Sequence, residues 1–174
     1  MSVFLIIFSF CRAKAYKSYL TTIPAYKKGY AINYRVKDII SRPSPGIGSS
    51  GKISYELLLE GPTETLENDV IIYMKPASRS AVCSVIHNPE LDKYFKHDGI
   101  RTVLCSYAMQ AATPPWLGYT VINNMPYIVD QFTPHAEDLE WKDISDLNEI
   151  LELVTYLGQA TGKIALFEQV NRRN

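Results

Sequence analysis

Tyr34-Arg35-Val36-Lys37-Asp38-Ile39-Ile40, then Arg42-Pro43-Ser44-Pro45-Gly46-Ile47-Gly48-Ser49-Ser50-Gly51, then Ile53-Ser54-Tyr55-Glu56-Leu57-Leu58-Leu59-Glu60: these three consecutive stretches decide the fold. The outer two are β-like. In the second of them Ile53, Tyr55, Leu57 and Leu59 alternate onto one face, the period of a strand. Between them, residues 42–51 form the densest Pro/Gly/Ser cluster of the chain, and such a run cannot be a regular element. The reading is strand, glycine loop, strand.

Downstream, a turn at Gly61-Pro62 and a polar stretch through Asn68 lead into Asp69-Val70-Ile71-Ile72-Tyr73-Met74-Lys75, which stops at Pro76. Its apolar density predicts a central strand, with Lys75 at its end on the face of Ile71 and Tyr73. Residues 78–98 read as loop with a short helical turn. Ile100, Val103, Leu104, Tyr107, Ala108 and Ala111 then recur at helical spacing and predict a core-facing helix that ends at Pro114-Pro115. Residues 116–122 and 127–132 flank Asn123-Asn124-Met125-Pro126 as a hairpin, because Asn tolerates positive φ. A last helix is capped by Ser145, with Leu147, Ile150, Leu151, Val154, Leu157 and Ile164 as its buried face. Antiparallel strands carrying an inserted helix predict an α+β domain, with a sheet of about five strands, one packed helix and a C-terminal helix.

The chain has 174 residues, enough for a single domain with a real core. Its 18 Lys and Arg balance 18 Asp and Glu, so it lacks the broad positive field that nonspecific nucleic-acid binding relies on. A hydrophobic fraction of 47% with 21% charge excludes intrinsic disorder and a multi-span membrane protein. Cys11, Cys83 and Cys105 form no CxxC, and His87, His97 and His135 fall in no metal-ligand spacing, which suits a reducing, cytoplasmic setting. The apolar run Val3 to Phe10 is too short to span a membrane, and its charge follows it instead of preceding it as in a signal peptide. Residues 1–32 are therefore set apart as an N-terminal apolar and basic helical segment, and 33–174 as the domain.

Gly46-Ile47-Gly48-Ser49-Ser50-Gly51 has GxGxxG spacing, which ordinary hairpin turns also produce. A strand follows it where a dinucleotide site would open a helix. A glycine loop between antiparallel strands, followed by a third strand ending in Lys75, matches the way a protein-kinase small lobe approaches phosphates. The other reading is a plain turn beside a lysine that snorkels from the sheet. On the first reading Gly46, Gly48 and Gly51 let backbone approach the phosphates, Ser49 and Lys75 supply donors, and Gln131 and Thr133 supply hinge backbone contacts to an adenine edge. Arg101 could meet a phosphate or simply form a surface ion pair, whereas Asp138, Asp143 and Asp146 suit capping and solvation better than a metal.

Beyond these motifs the chain carries Leu58-Leu59-Glu60-Gly61, Lys75 followed by Ala77, Gly99, Arg101 and Val103 with Met109-Gln110-Ala111-Ala112, and Leu117-Gly118-Tyr119. Tyr127-Ile128-Val129, Pro134 with Asp138, and Leu157-Gly158 with Thr161 and Lys163 complete the set. Over roughly residues 33–170 it resembles the bacterial family called domain of unknown function 2252. The resemblance implies a protein-kinase-like small lobe that binds ATP or a related nucleotide, with Mg entering only if missing segments are supplied. Family members look circularly permuted, with Gly-Asp-x-His-x-x-Asn-Phe and Asn-Asp-Phe-Asp patterns upstream of the glycine loop, and neither occurs in this sequence. The implied partner is therefore the missing catalytic half of the same family, and the implied state is a fragment inactive by itself. The family pattern also puts a Glu near the position of Leu104, a Glu at Pro76 and a His at Ala165. Without an acidic partner for Lys75, the alternative is a pseudokinase-like interaction scaffold that transfers no phosphate. A third expectation is a membrane tether through residues 3–10.

Overall fold

The structure is a computed structural model that describes residues 14–28, 35–44, 51–61, 63, 65, 68–86, 88–95, 97–110, 113–133 and 140–171. Strands β1 (Val36–Pro43), β2 (Ile53–Leu59), β3 (Val70–Pro76), β4 (Gly118–Ile122) and β5 (Met125–Gln131) form one antiparallel sheet in the order β1-β2-β3-β5-β4. The helices are α1 (residues 14–22), α2 (Ala25–Lys28), α3 (Ala81–Val85), α4 (Pro89–Tyr94), α5 (Asp98–Met109) and α6 (Leu147–Asn171). The expected α+β class with a five-stranded antiparallel sheet is what forms. Two compact units divide the chain: Met1–Leu104 with Pro114–Phe132, and Cys105–Thr113 with Thr133–Asn174.

The sheet buries one face. Tyr55 pairs with Met74, Leu57 with Ile72 and Leu59 with Val70, so the alternating residues of β2 and β3 meet directly across the ladder. Tyr127 and Val129 of β5 extend this face, and Ala15, Tyr16, Tyr19, Ile23 and Trp116 close over it. Tyr19 and Val129 are fully buried and Trp116 is nearly so. At about 1.5–3 kcal/mol for each large apolar side chain removed from water, this one cluster is the main source of the unit's stability.

The N-terminal segment thus contributes a structural layer. Thr120 donates its hydroxyl to the Ala15 carbonyl at 2.7 Å, and Tyr19 donates to the Trp116 carbonyl at 2.6 Å. Thr22 accepts the Tyr119 N–H at 3.1 Å, occupying a donor that the edge strand β4 would otherwise leave open. At the other edge, the register of β1 shifts between Val36 and Asp38, and Lys37 at the shift reaches Asp69 at 2.8 Å.

Several boundaries differ from those the sequence suggests. Arg42 and Pro43 belong to β1, paired with Ser54 and Ile53, because at the last position of an edge strand a missing N–H costs little. The β4–β5 turn uses only Asn123 and Asn124, at φ 51° and 62°, and Met125 and Pro126 join β5. Such a two-residue turn, with both central residues at positive φ, matches the twist of the strands it joins. In α5 only Gly99 and Val103 are buried, while Leu104 and Tyr107 are exposed and the helix ends at Met109. In α6 the expected buried face is largely open: Leu147, Leu151, Val154, Leu157 and Ile164 are 40–67% exposed, and Ile150 is half-buried. Helical spacing gathers apolar residues on one stripe but does not supply the layer that would cover it. The first α6 backbone bond runs from the Ile150 N–H to the Asp146 carbonyl, so Asp146, not Ser145, holds the cap position.

Candidate functional site

The sheet's second face is where chemistry can happen. Ile71, Tyr73 and Lys75 of β3 alternate away from the core, as expected, opposite Leu58 and Glu56 of β2 and Asp130 and Ile128 of β5. Lys75 stands one step beyond the Tyr55–Met74 pair, at the sheet end where Pro43 pairs with Ile53. At that end the Ser44 N–H reaches the Lys52 carbonyl at 2.9 Å, the Ser44 and Ser54 hydroxyls hydrogen-bond each other, and Gly51 adopts φ +77°. Lys75 is exposed, and among the described residues it has neither a hydrogen-bond nor an ion-pair partner. Glu56 is engaged with Arg42, and Asp98 with Arg101 at 3.5 Å.

A second group of cations gathers on Ser78, three residues past Lys75 in the chain. Lys52 donates to the Ser78 hydroxyl at 2.8 Å, and Arg101 donates through Nη2 to the Ser78 carbonyl at 3.1 Å. The first turn of α5 aims Arg101 there. His97 is the residue before that turn: its carbonyl accepts the Arg101 N–H at 3.2 Å and its Nδ1 accepts the Ile100 N–H at 3.1 Å. With Nδ1 accepting, a neutral ring carries its proton on Nε2. That Nε2 and Arg101 Nε are both buried, without a hydrogen-bond partner among the described residues. Gly99 permits this approach, since a Cβ there would lie 3.0 Å from the Tyr127 carbonyl oxygen and 2.8 Å from His97 Cε1.

The structure brings Lys75 and Gly51 to one end of the sheet. Gly46, Gly48 and Ser49 lie outside the described residues. Gln131 sits three residues along β5 from the partner of Lys75, opposite Ile72, and its N–H is taken up by Asp130 Oδ1 at 2.7 Å. Burial pushes the Asp130 carboxyl above its ordinary value, which that bond partly offsets. Thr133 belongs to the other unit and is exposed. Lys52 and Ser78 were not singled out from the sequence. The signal for Lys52 was its place directly after the last glycine of the motif; Ser78 gave none.

A comparison with family models matches residues 12–167 to "Uncharacterized protein conserved in bacteria (DUF2252)". The chain belongs to the DUF2252 family. The match takes in α1 and all five strands, so the N-terminal helix that closes the core is part of what this family's model describes. No curated protein and no solved structure matches the chain. Among the described residues, no helix is long and apolar enough to cross a membrane.

Proposed function

We propose that this DUF2252 chain is a nucleotide-binding module with the plan of a protein-kinase small lobe. In this reading Gly46, Gly48 and Gly51 present bare backbone amides to the phosphates of ATP, Ser49 adds a hydroxyl, and Lys75 supplies the cation. The observation that carries it is the exposed Lys75 ammonium, without a hydrogen-bond or ion-pair partner among the described residues, at the end of the sheet that holds Gly51 and on the face away from the core. An exposed ammonium at the same sheet end as the positive-φ Gly51 suits an anion.

The test is a thermal melt with Mg-ATP on the wild-type chain and on Lys75→Ala. At about a hundredfold excess over Kd, binding would stabilise the folded protein by about 2.7 kcal/mol. For a chain of this length that is a rise of several degrees in Tm. The rise is expected in the wild type and not in Lys75→Ala; no rise in either overturns the reading.

A second reading, a pseudokinase-like interaction scaffold, is favoured by α5 itself. Beyond Asp98, which faces Arg101, that helix has no acidic residue, and Leu104 stands exposed where the family pattern puts a Glu. Absence of a Mg-ATP response together with an intact cooperative melt is the outcome that selects it.

A further inference from the structure

We infer that Lys52 and Arg101, brought together on Ser78, form a second anion subsite that takes the terminal phosphate of a polyphosphate tail. The inference rests on the nucleotide reading for its ligand but on different residues. Two cations are drawn onto two oxygens of one residue: Lys52 Nζ onto Ser78 Oγ at 2.8 Å, and Arg101 Nη2 onto the Ser78 carbonyl at 3.1 Å. Lys52 is half-buried, and among the described residues it faces no carboxylate. The acid facing Arg101 is Asp98, at ion-pair distance but outside hydrogen-bond geometry, since Arg101 Nε is buried with its donor unmet. Two cations that share Ser78, and a buried guanidinium Nε without a hydrogen bond among the described residues, are groups that an anion stabilises. A phosphate fits the donor set: an ammonium offers a point charge with three rotatable donors, and a guanidinium offers a planar fork. Lys52 follows Gly51 directly and Ser78 follows Lys75 by three residues, so the subsite adjoins the glycine end of the sheet.

The experiment titrates the full chain with inorganic pyrophosphate and, separately, with ATP, following Tm and calorimetric Kd for the wild type, Lys52→Gln, Arg101→Gln and Lys75→Ala. The expected result is binding of both probes by the wild type, with affinity for each reduced about tenfold or more in Lys52→Gln and in Arg101→Gln, the effect of losing a charged hydrogen bond. If ATP binds, Lys75→Ala abolishes it, and both glutamine variants stay within twofold of wild type, the subsite is overturned while the nucleotide reading stands. Should pyrophosphate bind and weaken in those variants while ATP has no effect, the subsite stands and the nucleotide reading falls. No response to either probe overturns both. Because Arg101 also holds the Ser78 carbonyl, ligand-free melts are compared first. Lys52→Gln decides the matter if Arg101→Gln has no cooperative transition.

Discussion

Tyr127 donates its hydroxyl hydrogen to the Ile53 carbonyl at 2.9 Å, tying β5 to the start of β2 across β3, and its ring lies 5.8 Å from that of Tyr55. Burial, with Tyr55 beside it, pushes this phenol up to about 12. An unfolded chain releases a tyrosine proton near pH 10. Between about pH 10 and pH 12 the folded protein therefore holds a proton that the unfolded chain has lost, and stability falls as pH rises through that window. Below pH 10 the contribution is fully present. Tyr127→Phe should cost about 1 kcal/mol at neutral pH, the worth of one hydrogen bond. It should also decline less steeply than wild type between pH 10 and 12. Urea unfolding at pH 7, 10 and 11.5 measures both, and parallel alkaline limbs in the two proteins would rule out Tyr127 as their source.

At the scale of elements, the contact between α1 and β4 decides whether the core closes. Gly118 lies directly against the helix: a Cβ there would be 2.6 Å from Thr22 Oγ1 and 2.8 Å from Tyr19 Cε2. The Tyr19 ring is fully buried and cannot swing aside, so the helix must move. Gly118→Val should destabilise by about 2 kcal/mol or more, in the upper range for overpacking. Tyr19→Ala, which empties the same place from the other side, should cost about 3–5 kcal/mol. Denaturant midpoints at unchanged m check both, and a wild-type midpoint for Gly118→Val would show that α1 does not rest on β4.

The same pair of elements shows what could be read beforehand. The strands were legible because two-residue alternation directly states which side is buried, and β2 obeys it from Tyr55 to Leu59. For α1 a helical segment was read within residues 1–32 but its place in the core was not, because nothing local says that a sheet waits for Ala15, Tyr16 and Tyr19. For α5 and α6 the periodicity was real, yet it overstated burial: α5 buries Gly99 and Val103 alone, and α6 buries none of its described side chains. The candidate site was half legible. Lys75 follows from its strand, whereas Lys52, Ser78 and Arg101 meet through the pairing of β2 with β3 and the direction of α5, which no spacing along the chain encodes.

Over the whole molecule, the family match runs through both compact units, but the two hold their backbone by different means. In the sheet unit, Leu57, Leu59, Ile72, Met74 and Val129 are at most 2% exposed, so an amide in β3 or β5 reaches water only when the core comes apart. Helix α6 buries none of its described side chains, which leaves its own ladder as its main support. Leu151, Val154, Tyr156 and Leu157 are about half exposed or more, and a Cβ at Gly158 or Gly162 would touch nothing within 4 Å. Each of those glycines costs about 1 kcal/mol relative to Ala within a helix. Thr155 and Thr161 bond back to the carbonyls of Leu151 and Leu157, a habit that bends helices and slightly weakens them. A helix held mainly by its ladder is marginal in water, because propagation gains little per residue without a packed face. Native-state hydrogen exchange should therefore find α6 amides exchanging by local opening, insensitive to core variants. Those of β3 and β5 should follow global unfolding and be slower by about a hundredfold or more. Introducing Tyr19→Ala should speed β3 and β5 and leave α6 unchanged. If α6 is instead as protected as β3 and accelerates with it, the helix draws its stability from the same cooperative core.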